Sequence, residues 1–398
     1  MMLPLKRFWA MVIVLTAPAW LLTCGKEPTS SIWNPQWQGR PDPVISRVEP
    51  AEGAFAGIGL VTLYGENFSS DAAENHVYFD GVSAEILSAS TTSVQVKAPN
   101  ITGDSVRIKL RVDGAILFAE WYPYRLEPAA IEWGDFDQFD DAYAIACDKD
   151  ENVYVSLKGK KIVRVTPDGE RQEYATSLAD KASGMKIGPD GSIYYVNILP
   201  FMFRIPPQGN DGLFARLPGG AFDLDFGPNG NIYCGGSGKA LYRVKTDGSS
   251  EVAADYGNVT IRTVRVFNGY VYVGGKDGDT GQHNVWRNQI LSATELGPKE
   301  LYFEWSNKIG AHADLLSLTF AEDGDMYVGT NAPEAIFVVH PDGSFEPLYP
   351  GVIEPETYAM TWGNGPYLYV NRRSVDPKKK KIIRINMLKN GAPYFGRK

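Results

Sequence analysis

Short stretches of alternating hydrophobic and polar residues recur along most of this chain, and one of them occurs six times. Residues 191–197 (Gly-Ser-Ile-Tyr-Tyr-Val-Asn) are one copy, in which turn-forming residues precede an apolar segment centred on tyrosine. The corresponding tyrosines are Tyr154, Tyr194, Tyr233, Tyr272, Tyr327 and Tyr369. Most of their intervals are about 40 residues, a period typical of propellers and solenoids.

Three further strand-like segments accompany each copy. A segment of the form small–apolar–polar–apolar comes before it, at residues 144–147, 184–187, 223–226, 263–266, 317–320 and 359–362. A third segment resembling Ile-x-Arg-Val and a fourth carrying aromatic residues follow it. One sheet of four such strands buries too little surface to be stable alone, whereas radial stacking covers both faces of every sheet. The pattern predicts an all-β region, a six-bladed β-propeller over residues 128–398.

Two segments compete to close the predicted ring. Residues 130–133 (Ala-Ile-Glu-Trp) resemble residues 302–305 (Tyr-Phe-Glu-Trp), which we interpret as an outer strand. We therefore expect residues near 129–135 to supply the outer strand of the last blade, with residues 392–395 as the alternative.

Residues 43–127 show a period of two with turn residues between short apolar runs, which predicts a small β-sandwich. The run Val-Thr-Leu-Tyr-Gly-Glu-Asn-Phe at residues 61–68 resembles the IPT/TIG family of immunoglobulin-like domains. This resemblance implies that the domain serves as a spacer. The repeats that follow resemble NHL-type six-bladed propellers, a group that includes binding scaffolds, lyases and lactonases.

The N-terminus has the pattern of an export signal. Lys6 and Arg7 precede an apolar run, residues 8–22, that is short for a transmembrane span. The run ends in Leu-Leu-Thr-Cys-Gly, which resembles the lipobox of bacterial lipoproteins. The resemblance implies a signal peptide over residues 1–24, lipidation of Cys24 and a flexible tether over residues 25–42; an ordinary secretory signal is the alternative. We expect an outer-membrane or cell-surface protein held by its N-terminal lipid.

Charge and cysteine content narrow the function classes. The formal net charge of −8 argues against a nucleic-acid partner, because such binding needs a basic face. Cys147 and Cys234 lie in strand-like segments of non-adjacent repeats and are expected to be small buried hydrophobes rather than a disulfide. The lysines at residues 378–381 are expected to form a solvated hairpin tip, with contact to anionic lipid or acidic glycan as the alternative. We expect a monomer.

Two classes of loop should build the binding face of such a propeller: those that enter the inner strands and those that link second and third strands. The extra length of the fourth and sixth repeats falls in the second class, at residues 275–284 and 372–381. The candidate binding residues in these loops are Asp141, His283, His312, Asp314, Glu356, Arg372 and Arg373.

A metal site in the channel is a second hypothesis. A calcium-dependent lactonase similar to SMP-30 and gluconolactonase would need several carboxylates converging on one cation. The candidate ligands for Ca²⁺ are Asp141, Asp223, Asp314 and Glu356. Residues 148–152 resemble the start of a calcium loop but lie where the other repeats have a hairpin turn, so we interpret them as a turn. Lys186, Asp225 and Arg265 share one repeat position and are expected to form salt bridges between blades.

No coherent set of catalytic residues accompanies these candidates. His312 and Asp314 could form a base and its partner, but no nucleophile motif is associated with them. We therefore favour a non-enzymatic surface lipoprotein whose propeller binds an envelope protein or a polysaccharide, with Trp286, Trp305 and Trp362 as stacking candidates. The alternative is a metal-dependent hydrolase or lyase with its site in the channel.

Overall fold

The computed structural model describes residues 39–397, which form a β-sandwich followed by a six-bladed β-propeller. The predicted fold class is therefore confirmed. The predictions for the signal peptide, for Cys24 and for most of the tether concern residues 1–38, which lie outside the described residues.

The sandwich contains nine strands in two sheets, with orders β1-β3-β7-β6 and β2-β9-β8-β4-β5. The strands are β1 Val44–Glu49, β2 Ala54–Ala56, β3 Leu60–Glu66, β4 Asn75–Phe79, β5 Val82–Ser83, β6 Glu85–Ala89, β7 Ser93–Lys97, β8 Gly103–Val112 and β9 Ala119–Pro128. Alternate residues of β4 and β7 are buried, as the period of two predicts. Leu63, Phe79 and Ile108 are fully buried in the core between the sheets.

The propeller blades are antiparallel four-stranded sheets whose strands follow one another from the channel outward. After the short strand β10 (Ala130–Glu132), blade one contains β11 Ala142–Cys147, β12 Val153–Leu157, β13 Lys161–Val165 and β14 Arg171–Thr176. Blade two contains β15 Gly184–Ile187, β16 Ile193–Val196, β17 Phe201–Ile205 and β18 Gly212–Arg216. Blade three contains β19 Asp223–Phe226, β20 Ile232–Gly235, β21 Ala240–Val244 and β22 Ser250–Asp255.

Blade four has the longest strands of the propeller and is followed by one helical turn. Blade four contains β23 Val259–Phe267, β24 Tyr270–Asp277, β25 His283–Gln289 and β26 Glu300–Phe303, followed by the helix α1 Trp305–Lys308. Blade five contains β27 Leu315–Phe320, β28 Met326–Thr330, β29 Ile336–Val339 and β30 Phe345–Pro347. Blade six contains β31 Thr357–Trp362, β32 Tyr367–Arg372 and β33 Lys381–Asn386.

The repeated tyrosines pack between blades, as their position in each second strand suggests. Tyr327 of blade five meets Trp362 of blade six edge-on, with ring centroids 5.4 Å apart. Tyr194 of blade two meets Phe226 of blade three in the same way at 5.2 Å. Such edge-to-face pairs favour one fixed angle between neighbouring sheets.

The strand β10 closes the ring. It pairs antiparallel with β33, so that a segment from before blade one forms the outer strand of blade six. The prediction for residues 129–135 is thereby confirmed, and the alternative at residues 392–395 is wrong. The comparison that suggested it needs one correction: Trp305 is not in an outer strand, because β26 ends at Phe303 and Trp305 begins α1.

The C-terminal tail, residues 391–397, crosses one end of the channel instead of joining a blade. The hydroxyl of Tyr394 donates to the carbonyl of Ile187 at 2.8 Å, and Nη1 of Arg397 donates to the carbonyl of Trp362 at 3.0 Å. These carbonyls belong to the last residues of the inner strands of blades two and six. The tail therefore covers the end of the channel at which the inner strands finish.

The sandwich touches the propeller beside blade six, where Nδ2 of Asn100 donates to the carbonyl of Gly351 at 3.0 Å. Gly351 lies in the loop that enters β31. Within residues 39–397, no helix has the length and apolar character needed to cross a membrane.

Candidate binding site at the channel mouth

The end of the channel opposite the C-terminal tail is where the inner strands begin, and we call it the mouth. Because the strands of each blade alternate in direction, the loops that enter the inner strands and the loops that link second and third strands meet at this end. The candidate residues named from the sequence belong to these loops.

Four of the six inner strands carry a β-bulge close to the mouth. The register shifts fall at Tyr143 in blade one, Arg262 in blade four, Leu316 in blade five and Tyr358 in blade six. A bulge leaves a residue out of the ladder and redirects its side chain. Arg262, Leu316 and Tyr358 line a cavity of about 20 Å³ at the mouth.

Two tyrosines and three cations form a cluster at the rim of this cavity. The rings of Tyr143 and Tyr358 meet edge-on, with centroids 6.1 Å apart. The guanidinium of Arg373 lies 4.1 Å from the centroid of Tyr143 and 5.1 Å from that of Tyr358. Nζ of Lys181 lies 4.1 Å from the Tyr143 centroid, and the guanidinium of Arg262 lies 4.7 Å from the Tyr358 centroid. Cation–π attraction therefore holds the positive groups around the two rings.

The cluster has fewer carboxylates than cations. Asp141 accepts hydrogen bonds from the Tyr143 hydroxyl and from Nη2 of Arg373, both at 3.0 Å, and lies 3.8 Å from Nζ of Lys380. Lys181 donates to the Tyr143 hydroxyl at 2.9 Å. Glu356 contributes its backbone carbonyl, which accepts from the Arg373 amide at 3.1 Å.

Lys181 and Arg262 form no salt bridge with any carboxylate in residues 39–397. Around the mouth, five cations (Lys181, Arg262, Arg265, Arg373 and Lys380) thus face three acidic residues (Asp141, Asp223 and Glu356), and Asp223 is already paired with Arg265. The mouth is a positive region in a protein whose formal net charge is −8, so it attracts negative groups locally.

Exposed apolar side chains occur in the same sector of the ring. Phe139 and Val375 are 83% and 91% exposed, and Leu178, Ile198 and Leu199 are also exposed. All five lie in loops of the mouth-facing classes on the consecutive blades six, one and two. We call these five residues the apolar collar. Large exposed apolar residues that cluster in one region commonly mark an interaction surface.

The structure brings some of the predicted binding residues together and separates others. Asp141, Glu356 and Arg373 meet where blades six and one adjoin. Arg372 points elsewhere: its Nε donates to the carbonyl of Lys379 at 2.7 Å, and its Nη1 lies 3.5 Å from Glu354.

The remaining three candidates lie across the ring, near blades four and five. Nε2 of His283 is 3.0 Å from Oδ1 of Asp314, and burial lowers the pKa of this histidine. The side-chain amide of Asn331 donates to Oδ2 of Asp314 at 3.0 Å. His312 is exposed. The expected pairing of His312 with Asp314 is therefore replaced by a pairing with His283, which β25 places opposite Asp314.

The four proposed calcium ligands do not converge. Asp223 is buried in the channel wall, where its Oδ2 accepts from Nη1 of Arg265 at 2.6 Å and from the Thr263 hydroxyl at 2.9 Å. Asp141 and Asp314 have the partners described above. In the described part of the chain, no group of three His, Cys, Asp or Glu side chains is arranged to hold a metal ion. The calcium hypothesis thus gains no ligand set from these residues.

The charged residues Lys186, Asp225 and Arg265 inside the channel do not pair as predicted. Arg265 forms its salt bridge with Asp223, not Asp225, while Asp225 accepts from the backbone amide of Val266 at 2.8 Å. Lys186 is buried beside them, 5.3 Å from the ring centroid of Tyr394. Burial, reinforced by the charge of Arg265, lowers the pKa of Lys186 to about 8. Burial also raises the pKa of Asp225.

Several smaller predictions can be compared directly. Residues 148–152 form a turn in which Oδ1 of Asp148 accepts from the amide of Asn152 at 2.8 Å, which confirms the turn interpretation. Cys147 and Cys234 are free and buried, as expected, and burial raises the pKa of both thiols. The three tryptophans could stack on a ligand only if they were exposed; Trp286, Trp305 and Trp362 are buried, so none of them offers a stacking surface.

Tyr143, Arg262 and Tyr358 were not predicted from the sequence as binding residues. Each stands directly before the small–apolar–polar–apolar segment of its repeat. The sequence shows large or charged residues recurring at this position before the inner strand. Their role in binding becomes clear only from the bulges, which turn these side chains towards the mouth.

Comparison with known proteins agrees with the two-part architecture. Residues 43–122 match the IPT/TIG domain family. The sandwich is therefore an IPT/TIG domain. No curated protein sequence matches the chain significantly.

Solved structures of the same fold cover the IPT/TIG domain and the propeller together. An auxiliary nutrient binding protein from Bacteroides thetaiotaomicron is 14% identical, with a TM-score of 0.51, and the match covers 89% of this chain and 98% of that one. A protein of unknown function from the same organism is 13% identical with a TM-score of 0.51, covering 89% and 99%. A gluconolactonase from Xanthomonas campestris matches 65% of this chain and 89% of its own at 13% identity and a TM-score of 0.52. At these identities the likeness establishes the fold alone.

Proposed function

We propose that this protein is a non-enzymatic binding module of the bacterial cell envelope, and that the mouth and the apolar collar together bind a partner protein. The observation that carries this proposal is the position of the collar, on the same blades as the cationic cluster of Lys181 and Arg373. An apolar surface beside a charged centre is the kind of surface that protein partners cover.

A protein partner fits this surface better than a neutral polysaccharide does. Sugars stack on open aromatic faces, whereas cations already lie over the rings of Tyr143 and Tyr358. The buried tryptophans supply no alternative platform, and the collar offers a single open aromatic side chain, Phe139, among four aliphatic ones. The exposed aromatic and aliphatic side chains of the collar, Phe139 and Val375 above all, are suited to burial against another protein.

The remaining parts of the chain are assigned in keeping with this function. Cys24 carries the lipid, the following residues act as a tether, and the IPT/TIG domain holds the propeller away from the membrane. The Bacteroides neighbour described as an auxiliary nutrient binding protein supports a binding function for this architecture. The wild type should incorporate labelled palmitate and a Cys24→Ser variant should not, and equal labelling of the two would contradict the lipid anchor at Cys24.

In-cell photo-crosslinking tests the binding face. A photoreactive amino acid at Val375, in the collar, should give a discrete protein adduct. The control is Leu388, which is also apolar and more than half exposed but lies in the segment after β33, at the tail-covered end of the ring. Adducts of equal yield at both positions, or no adduct at Val375, would contradict the proposed face. A polysaccharide adduct at Val375 would contradict the assignment of a protein partner.

A further inference from the structure

We infer that the mouth binds an acidic segment of the partner protein, whose carboxylates meet Lys181 and Arg262 while the apolar collar covers the flanking residues. This inference rests on the proposed function and names the chemistry of the segment that enters the mouth. The juxtaposition that supports it is two cations without carboxylate partners, Lys181 and Arg262, each beside an aromatic ring, in a mouth flanked on one side by the exposed side chains of the apolar collar.

The two cations are held in position before any ligand arrives. Lys181 is fixed by its hydrogen bond to the Tyr143 hydroxyl and by its place over the Tyr143 ring. Arg262 sits at a bulge, with its guanidinium 4.7 Å from the Tyr358 centroid. Binding then loses less side-chain entropy than it would with freely rotating surface residues.

A protein that covers the apolar collar needs negative groups to face Lys181 and Arg262. A protein that buries Phe139 and Val375 also removes water from the neighbouring cations. A desolvated cation without a counter-charge is costly, whereas one that meets a carboxylate is compensated. The carboxylates already present have other partners: Asp141 is engaged with Arg373 and Lys380, and Asp223, which lines the same cavity as Arg262, is engaged with Arg265 and Thr263. Glu356 lies beside Arg373, whose amide donates to its backbone carbonyl. The compensation for Lys181 and Arg262 must therefore come from the partner.

The size of the mouth sets how the segment enters. The cavity of about 20 Å³ beside Arg262 has room for one water-sized group, such as a carboxylate oxygen. An arginine fork is suited to a planar carboxylate, which it holds through two parallel hydrogen bonds. The peptide backbone would remain outside, in contact with the collar. An acidic polysaccharide would satisfy the charges but would leave the collar exposed.

The test is a binding titration with the lipid-free full-length protein carrying Cys24→Ser. The probe is a fluorescent oligo-glutamate peptide with flanking leucines, compared with the corresponding glutamine peptide and with oligogalacturonate. We expect saturable binding of the glutamate peptide that weakens with salt. Arg262→Gln and Lys181→Gln should each weaken it about tenfold, as expected for loss of one charge-assisted contact. Lys149→Gln, in the exposed turn between β11 and β12 at the tail-covered end, should have no effect.

Three results would overturn the inference: no binding of the glutamate peptide, equal binding by the mouth variants, or preferential binding of oligogalacturonate. Arg262→Lys keeps the charge and should retain part of the affinity, which separates charge loss from misfolding. If the Val375 adduct forms in cells while the glutamate peptide fails to bind, the proposed function stands and only the acidic segment is wrong.

Discussion

Lys186 carries its charge in an unfavourable place. It is buried in the channel wall near Asp225 and Arg265, and burial together with the charge of Arg265 lowers its pKa to about 8 from 10.5. A lowered lysine pKa means that the unfolded chain binds more protons than the folded one between these two values. Stability therefore rises with pH through that window. Below pH 8 Lys186 is charged in the folded protein, so the full free-energy cost of burying its charge lowers the stability.

Lys186→Met tests this assignment. Between pH 8 and 10.5, the free energy of unfolding of the wild type should rise relative to that of the variant. The relative change should be on the order of 3 kcal/mol, since one pKa unit corresponds to about 1.4 kcal/mol. Denaturant unfolding of both proteins at a series of pH values measures this difference. The ionisation of buried tyrosines affects both proteins alike and cancels from it. Lys378→Met should follow the wild type, and a constant offset between wild type and Lys186→Met would show that Lys186 is not perturbed.

Among the elements, the strand β10 closes the propeller ring although it has only three residues. It joins the segment that leaves the sandwich to the last blade, so the ring closes through backbone hydrogen bonds. The amide of Asn386 donates to the carbonyl of Ala129, and the amide of Trp133 donates to the carbonyl of Ile382, both at 2.8 Å. Because antiparallel pairing alternates, Ile131 belongs to the hydrogen-bonded set opposite Arg384, and the amide of Glu132 faces outward.

Proline substitutions along β10 should therefore have unequal effects. Ile131→Pro removes a ladder hydrogen bond and should lower the free energy of unfolding by about 3 kcal/mol. Glu132→Pro, whose amide does not donate to β33, should cost much less. Thermal unfolding compares the two variants, and hydrogen exchange should show faster opening of β33 in Ile131→Pro. Equal destabilisation by the two substitutions would argue against ring closure through β10.

The strands of the propeller could be predicted from the sequence more completely than the site. Each repeat carries its own alternation and turn residues, so the inner strands, the tyrosine strands and the closing strand could be located without a structure. The tail at residues 391–397 could not, because its contacts with Ile187 and Trp362 are made by side chains that reach distant inner strands. The partner of Arg265 was also misassigned, since the strand pattern does not distinguish Asp223 from Asp225.

For the whole molecule, the candidate site lies where the regular repeat is modified. Bulges redirect Tyr143, Arg262 and Tyr358 to the mouth, and no residue pattern in one chain distinguishes a bulge from a regular strand position. Asp141 and Arg373 were accessible to prediction because they lie in loops of the expected class. The tail blocks one end of the channel, so the sector formed by blades six, one and two is the surface at which mouth and collar coincide.

The most direct test of this account is the affinity for the protein that is crosslinked at Val375. Calorimetric titration would compare the wild type with the double variant Lys181→Gln/Arg262→Gln and with Lys389→Gln, a cation paired with Asp323 and Asp325 at the tail-covered end. The double variant should bind about a hundredfold more weakly, because it loses two contacts of about 1.4 kcal/mol each. Lys389→Gln should bind as tightly as the wild type. Unchanged affinity in the double variant, or a loss confined to Lys389→Gln, would contradict binding at the mouth.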